Sequence, residues 1–387
     1  MEKCDVAIVG AGPAGSATAI SLAERGYRVA LIDRAVFPRD KLCGDFLNPI
    51  NWPVLEELHV SQDLLSLPHT KVSRFRITTA DGSEAMSAFP AQGVRPFGLG
   101  LRRFHLDHVL VARAKRVGAS VLEGTKLKVV KMQPRGWLLD MSRDGEPISL
   151  RAKLLVGADG RNSAVARQLG VASELPKRLA AVGFEIQLQN VPSVPDSVEI
   201  HQFTGGYAGI VRVDGGQVNL CCTVRRELLG KSVSFENLRA RLLRDNPFLN
   251  ELLSASVPVS EFRSVSPVYF PARRCFGDGF ILVGDAARVT EPVTGEGIYL
   301  ALRSGQLGAA TVEKALGEGN LRAVRLSEYE RACQAEFAAR FRLNSLIRNL
   351  VYRPKALSLA VRLLSRRQRF LALLVNAVCQ RRAAFAG

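Results

Sequence analysis

Apolar residues run without interruption at Val6-Ala7-Ile8-Val9, Val29-Ala30-Leu31-Ile32, Leu154-Leu155-Val156 and Phe280-Ile281-Leu282-Val283, each run ending in or next to Gly or Asp. A half-exposed strand alternates, whereas continuous runs of this length predict parallel strands covered on both faces. A helix-like stretch from Ser16 to Arg25 separates the first two. Three regions carry another pattern: Ser73 to Pro90, Ala119 to Val130 with a return strand Gly136 to Met141, and above all Ala181 to Val224, where alternating segments are broken by Gly205-Gly206 and Gly215-Gly216. These read mostly as a second, sheet-rich unit. From Gly297 onward the spacing of Leu300, Leu302 and Leu307 is helical, and Pro354 interrupts the series. The last stretch, 356–384, sets Leu359, Leu363, Phe370, Leu371, Leu374, Val375 and Val378 among Arg362, Arg366, Arg367, Arg369, Arg381 and Arg382. Such a helix either lies on an anionic membrane or docks on the protein's own body with its arginines in solvent.

The first strand–helix–strand unit carries Gly10-Ala11-Gly12-Pro13-Ala14-Gly15, with Asp33 ending the second strand 18 residues after Gly15. The first glycine allows a tight turn off the strand, the second lets backbone N–H groups approach a pyrophosphate, and the third lets helix pack on strand. The helix N-terminus favours phosphate charge, and a carboxylate at Asp33 suits the ribose hydroxyls of an adenosine. A dinucleotide site is expected.

The chain has 387 residues, 47% hydrophobic and 23% charged, which predicts folded structure throughout. Its 53 basic against 36 acidic residues leave a net charge of +17, which fits an anionic partner such as cofactor phosphates or a membrane surface, or else an arginine-rich soluble surface. Nucleic acid is not expected, because basic residues are not interleaved with stacking aromatics. Seven scattered cysteines and five histidines show no ligand spacing, so neither a metal centre nor a disulfide framework is expected. With a first strand starting near the N-terminus and no apolar run of about 18 residues, a cytoplasmic protein is expected, with peripheral membrane contact through 356–384 as the alternative described above.

Two further strand ends narrow the chemistry. Leu155-Val156-Gly157-Ala158-Asp159-Gly160-Arg161-Asn162-Ser163 runs into an acidic turn, and Phe280-Ile281-Leu282-Val283-Gly284-Asp285-Ala286-Ala287 is followed by Glu291-Pro292-Val293-Thr294-Gly295-Glu296-Gly297-Ile298. In this order and spacing, over roughly residues 3–310, the chain resembles the FAD-dependent superfamily that contains p-hydroxybenzoate hydroxylase-like monooxygenases, geranylgeranyl reductases and flavin-dependent halogenases. The resemblance implies FAD bound in extended form. Gly10, Gly12, Ala14, Gly15, Asp33 and Arg34 would hold its ADP half. Asp159 and Gly160 would form the shared Asp-Gly motif, Gly284 and Asp285 would hold the ribityl or pyrophosphate region, and Pro292, Gly295 and Gly297 would line the isoalloxazine. Arg103, in Leu101-Arg102-Arg103-Phe104-His105-Leu106-Asp107, would also touch the cofactor. Lys41-Leu42-Cys43-Gly44 resembles the Lys-x-Cys-Gly segment of the reductase and halogenase branches, where it approaches the flavin ring. Cys43 and Gly44 are therefore candidates beside the reacting atoms, with Pro292; a buried filler is the alternative for Cys43.

The resemblance implies an α/β fold with an α+β substrate part. A discontinuous Rossmann-like FAD-binding domain would comprise 1–72, 91–180 and 271–310, with an inserted sheet-rich substrate domain from 73–90 and 181–270 and a C-terminal helical region over 311–387. Departures from the branches matter. The Trp-x-Trp-x-Ile-Pro segment of the halogenases is absent, so halogenation is not expected. The Tyr-x-Trp-x-Phe-Pro strand of the prenyl reductases reads Tyr207-Ala208-Gly209-Ile210-Val211-Arg212 here. Tyr207 is kept, either as a wall of the site or as a core aromatic, while Gly209 in place of the tryptophan predicts a roomier wall. No second glycine-rich nucleotide motif follows, so NAD(P)H is expected to dock transiently as electron donor. The leading expectation is an NAD(P)H-dependent monooxygenase that hydroxylates an aromatic or polyketide-like substrate with O2 through a flavin hydroperoxide. Alternatives are a reductase or dehydrogenase of lipid-like prenyl double bonds, and a flavoprotein that modifies or matures a partner protein. The expected substrate is a small aromatic or lipophilic molecule, free or carried on a protein.

Overall fold

In the computed structural model, which describes residues 2–91, 95–172, 181–192, 196–230 and 233–380, the four apolar runs lie side by side. The strand Glu2–Val9 pairs in parallel with Glu146–Gly157 on one side and Val29–Ile32 on the other, in the registers Ala7 to Leu155 and Val6 to Val29. Phe280–Leu282 extends the sheet beyond Glu146–Gly157, also in parallel. Their side chains, from Val6 to Leu282, are almost entirely buried, as a sheet covered on both faces requires. Ser120–Leu122 joins this sheet beside Val29–Ile32, and the hairpin of Thr125–Gln133 with Gly136–Arg143 attaches through Glu146–Gly157. The 119–141 region therefore belongs with the first sheet despite its alternation, because its hairpin forms a partly exposed antiparallel flap there.

The Pro13–Ala23 helix is buried along its whole length. It packs on the Gly297–Gly317 helix so closely that a Cβ on Gly305 would lie 2.4 Å from the Ala14 carbonyl oxygen, and Thr18 Oγ1 donates to the Gly305 carbonyl at 3.1 Å. This helix runs unbroken across residue 310, so the helical region is continuous with the dinucleotide-binding body at that point.

The second sheet orders the strands Val257–Pro258, Ala181–Gln189, Val218–Arg225, Gly206–Arg212, Ser197–Phe203, Arg74–Thr78 and Glu84–Ala88. All are antiparallel except Ser197–Phe203 against Arg74–Thr78. Two apolar clusters grow on it. One gathers Phe184, Ile186, Leu220 and the helices Phe235–Asp245 and Pro247–Leu253. The other gathers Val198, Ile200, Tyr207, Val211 and Val293 with Leu357, Val361, Leu371 and Val375 of the C-terminal helices Pro354–Arg366 and Gln368–Cys379. A small third sheet of Phe46–Leu47, Gly98–Gly100 and Thr70–Val72 joins the two bodies; a Cβ on Gly100 would lie 1.9 Å from the Arg212 carbonyl oxygen. No helix among the described residues is long and apolar enough to cross a membrane.

Candidate FAD site

A cavity of about 1020 Å³ opens at the carboxyl ends of the parallel strands and continues between the two sheets. Carboxyl ends of parallel strands are where open α/β sheets bind ligands, and the volume sits at the upper end of the roughly 300–1,000 Å³ of ordinary ligand pockets. Its first arm is lined by Gly10, Gly12, Ala14, Asp33, Arg34, Asp159, Gly160, Gly284 and Asp285. Sites from four strand ends thus converge. Gly15, which is not on the wall, packs behind them.

The glycines divide by what surrounds them. Gly10, at φ 107°, leaves only 2.3 Å between a built Cβ and the Ala158 carbonyl oxygen, and at Gly15 the Gly10 carbonyl oxygen lies 1.8 Å away. Gly284 meets Ala14 in the same manner. These positions let the strand ends and helices touch. At Gly160 and Gly297, by contrast, a Cβ would meet nothing within 4 Å, and at Gly12 only the tip of Arg103 at 4.0 Å. All three face the cavity, so their backbone is left bare toward an extended ligand. Gly12 also caps the Pro13–Ala23 helix without a side-chain partner, which leaves N–H donors of the first turn for an anion. This bare cradle, ringed by Arg34, Lys41, Arg103 and Arg161, fits the phosphates and ribityl chain of FAD.

The acidic residues do more than the sequence indicates. Asp33 Oδ2 accepts the Ala11 N–H at 2.8 Å and Oδ1 the Ala35 N–H at 2.9 Å, tying the glycine loop to the second strand while lone pairs remain for a ribose. Asp159 accepts Ser163 Oγ at 2.5 Å and the N–H groups of Ala164 and Val165 at 2.6 and 3.1 Å. It therefore supplies acceptors to the first turn of the short Ala164–Gln168 helix, beside the N-cap Ser163, while also lining the cavity. Asp285 meets Arg161 Nη2 at 3.4 Å. Arg103 is held bidentately by Asp107, at 2.7 Å for both bonds, and Arg39 joins the same carboxylate at 3.0 Å. Its guanidinium is thus fixed beside the glycine loop.

Farther along, the cavity is walled by Cys43, Gly44, Phe46, Pro292 and Gly295, and ends among Phe75, Val198, Ile200, Tyr207, Gly209 and Ile210. Gly295, at φ 63°, brings its backbone to within 3.0 Å, measured from a built Cβ, of the Phe46 ring. Tyr207 is both buried and part of the wall, so the two alternatives left by the sequence coincide. At Gly209 the space next to the backbone is partly taken by Cys221 Sγ, 3.4 Å from a built Cβ. Burial pushes the Cys43 thiol up to about 11, so it stays protonated at neutral pH and is no thiolate nucleophile.

Beneath Cys43-Gly44 lies a polar knot that sequence reasoning missed. Asn219 Nδ2 lies 2.8 Å from Asp45 Oδ2, 3.1 Å from Glu185 Oε1 and 3.2 Å from the Cys43 carbonyl oxygen; Gln187 Nε2 donates to Asp45 at 3.0 Å, and the Arg103 N–H donates to the other Asp45 oxygen at 3.0 Å. Burial raises Asp45 to about 6, and burial together with the Asp45 charge raises Glu185 to about 8. The knot holds the turn against the second sheet, and the three segments it joins, 43–45, 185–187 and 219, are too far apart in sequence to show a spacing. Glu291, standing directly before Pro292, is a second missed residue, and that position is the only signal for it.

Comparison with known proteins agrees with this geometry. A family model described as FAD binding domain matches residues 3–339. The chain is 28% identical to the Dictyostelium discoideum conditioned medium factor receptor 1, over 95% of this chain and 75% of that one. It is 29% identical to digeranylgeranylglycerophospholipid reductase 2 of Methanopyrus kandleri, over 87% and 84%. The fold is similar to the crystal structure of a geranylgeranyl bacteriochlorophyll reductase-like protein from Thermoplasma acidophilum, with a TM-score of 0.82, 23% identity and coverage of 94% and 92%. The resemblance read from the sequence and the α/β fold class are borne out. The chain belongs to the FAD binding domain family and is an FAD-dependent oxidoreductase.

Proposed function

We propose that the protein is an FAD-dependent reductase of a carbon–carbon double bond in a lipophilic, isoprenoid-like substrate that it takes from a membrane surface, with NAD(P)H as the transient source of electrons. The bound flavin supplies hydride transfer. The protein's residues hold the cofactor along the glycine cradle, exclude water with Phe46, Phe75 and Ile200, and present the substrate between Cys43-Gly44 and Pro292.

One observation carries this reading. The cavity's far wall belongs to the same apolar cluster that the C-terminal helices cover, so Val198, Ile200, Tyr207 and Val293 connect through the protein to Leu357, Val361, Leu371 and Val375. The outer faces of those helices leave Leu359, Leu363, Phe370 and Leu373 each more than half exposed, among the exposed Lys355, Arg366, Arg367 and Arg369. Of the two sequence alternatives for the terminal stretch, one face docks on the body, anchored also by Arg362 on Asp81, and the composition of the outer face supports contact with anionic lipid in addition. Arg381 and Arg382 lie outside the described residues. The reductase relatives support the same substrate class. The aromatic hydroxylation expected first from the sequence ranks second, because the far wall offers mainly aliphatic and aromatic carbon with few groups to orient a phenol.

The experiment replaces Leu359, Leu363, Phe370 and Leu373 with serine and measures anaerobic reduction of a polyprenyl lipid. Exposed residues contribute little to stability, so the variant is expected to fold and to reduce a short-chain, detergent-soluble analogue normally. Four lost apolar contacts, each worth about 1.5–3 kcal/mol when buried, are expected to cut turnover of lipid embedded in anionic vesicles by at least ~100-fold. Equal turnover of vesicle-embedded lipid by both proteins would remove the membrane-surface part, and no reduction of either substrate by the wild type would remove the reductase.

A further inference from the structure

The loop that reaches Gly297 carries a carboxyl that neither cofactor binding nor substrate enclosure uses. Glu291 is 3% exposed, and its Oε1 accepts Tyr207 Oη at 2.7 Å and Tyr352 Oη at 3.4 Å. Its place is fixed by Asn344, whose Nδ2 donates to the Glu291 carbonyl and to Thr294 Oγ1, both at 2.9 Å. Thr223, opposite Tyr207 on the neighbouring strand, is hydrogen-bonded to the same phenol. The titratable and charged groups facing the carboxyl are Tyr207 from the second sheet, and Tyr352 and Arg348 from the Ala323–Val351 helix and its end. Tyr207 alone of these lines the cavity. The hydroxyl of a wall residue is thus backed by a buried acid that does not line the cavity, and on its other side it meets Thr223, which does.

Resting on the reductase reading above, we propose that Glu291 and Tyr207 form a proton relay, in which Tyr207 Oη protonates the substrate and recovers its proton from the Glu291 carboxyl. In the reaction the π bond breaks. One carbon gains hydride from the reduced flavin, the other gains the Tyr207 proton, the phenolate oxygen takes the Glu291 proton, and Glu291 is reprotonated from solvent. The flavin loses two electrons and the alkene gains them. Tyr207 is the catalytic residue; Glu291 acts through it and is a positioning residue and proton store.

The state of Glu291 decides which way the phenol donates. Burial raises the carboxyl to about 7 against the opposing pull of the two tyrosine hydroxyls and Arg348. Protonated, it donates to Tyr207 and frees the phenol hydrogen for the cavity. Ionised, it draws that hydrogen onto itself. Reduction is therefore expected to slow as pH rises through about 7.

The test uses flavin-loaded wild type, Tyr207→Phe and Glu291→Gln, which keep the ring and the shape of the side chain. Rate constants for anaerobic reoxidation by a soluble isoprenyl alkene are measured from about pH 5 to pH 9, with infrared titration of the protonated-carboxyl band. Tyr207→Phe is expected to lose ~100-fold or more in the rate constant, as loss of a general acid does, at unchanged flavin content. Glu291→Gln is expected to lose ~10-fold, to flatten the pH profile and to lack the band that titrates near 7 in the wild type. Wild-type rates in Tyr207→Phe, or a carboxyl band unaffected by Glu291→Gln, would overturn the relay while leaving the reductase standing. A wild type that reduces no alkene would overturn the reductase itself and the relay with it, whatever the infrared titration reads.

Discussion

The Gly12→Val protein is expected to fold, to purify in normal yield and to be colourless. Gly12 has φ −73° and ψ −175°, a conformation that valine adopts without strain, and the only atom near a built Cβ is the flexible end of Arg103 at 4.0 Å. The branched side chain therefore costs the fold little. It projects into the cavity where backbone N–H groups are left bare for the pyrophosphate, so an expected loss of at least about 3 kcal/mol corresponds to ~100-fold weaker FAD binding. Gly10→Val is the contrasting case. Its Cβ would sit 2.3 Å from the Ala158 carbonyl oxygen at a φ of 107°, so that variant is expected to be lost to misfolding. Flavin absorbance per protein and the melting temperature of the flavin-free proteins separate the two outcomes. A yellow Gly12→Val protein at full occupancy would move the cofactor out of this cradle.

The second large effect concerns the pH dependence of stability. In the knot under Cys43-Gly44, both carboxyls are raised, Asp45 to about 6 and Glu185 to about 8. A carboxyl with a raised folded-state pKa binds its proton more tightly in the native than in the unfolded chain. Its contribution is therefore fully present below the unfolded pKa, near 4, and is lost as pH rises through the folded value. For this pair the loss runs from about pH 4 to pH 8, ending with two charges sharing one amide nitrogen. Glu185→Gln removes one charge while keeping the shape, so it is expected to abolish most of that slope. Relative to wild type, it gains about 2–4 kcal/mol in unfolding free energy between pH 5 and pH 9. Urea unfolding at the two pH values measures it, and parallel pH dependence in the two proteins would show that Glu185 is already ionised in the native state.

The dinucleotide-binding half was legible because its information is local. Strand, glycine turn, helix and acid follow one another within Val6–Asp33, and each residue answers a constraint set by its neighbours. The same holds for the Gly284-Asp285 and Pro292–Gly297 turns, which the fold brings to one cavity. What was not legible arises where distant segments meet. Asp45, the Glu185 and Gln187 pair of one strand, and Asn219 come from three separate segments, and only the assembled sheets reveal them as one buried knot. The pairing of Tyr207 with Glu291 is of the same kind. Asp159 shows the converse: a motif residue whose carboxylate turns out to be committed to the first turn of the next helix. In the terminal helices, amphipathic spacing was readable, but which residues are covered depended on the Glu84–Ala88 edge of the second sheet, against which both helices pack.

On the proposed reductase reading, the bound flavin hands its electrons to a carbon–carbon double bond. The most direct measurement reduces the purified protein anaerobically, mixes it with a polyprenyl lipid in the absence of oxygen and follows the flavin absorbance in a stopped-flow instrument. The oxidised flavin spectrum is expected to return under the lipid alone, with a product richer by two hydrogens. A flavin that stays reduced until oxygen is admitted, and a product that then carries an oxygen atom taken from it, would contradict the reductase and establish the oxygenase in its place.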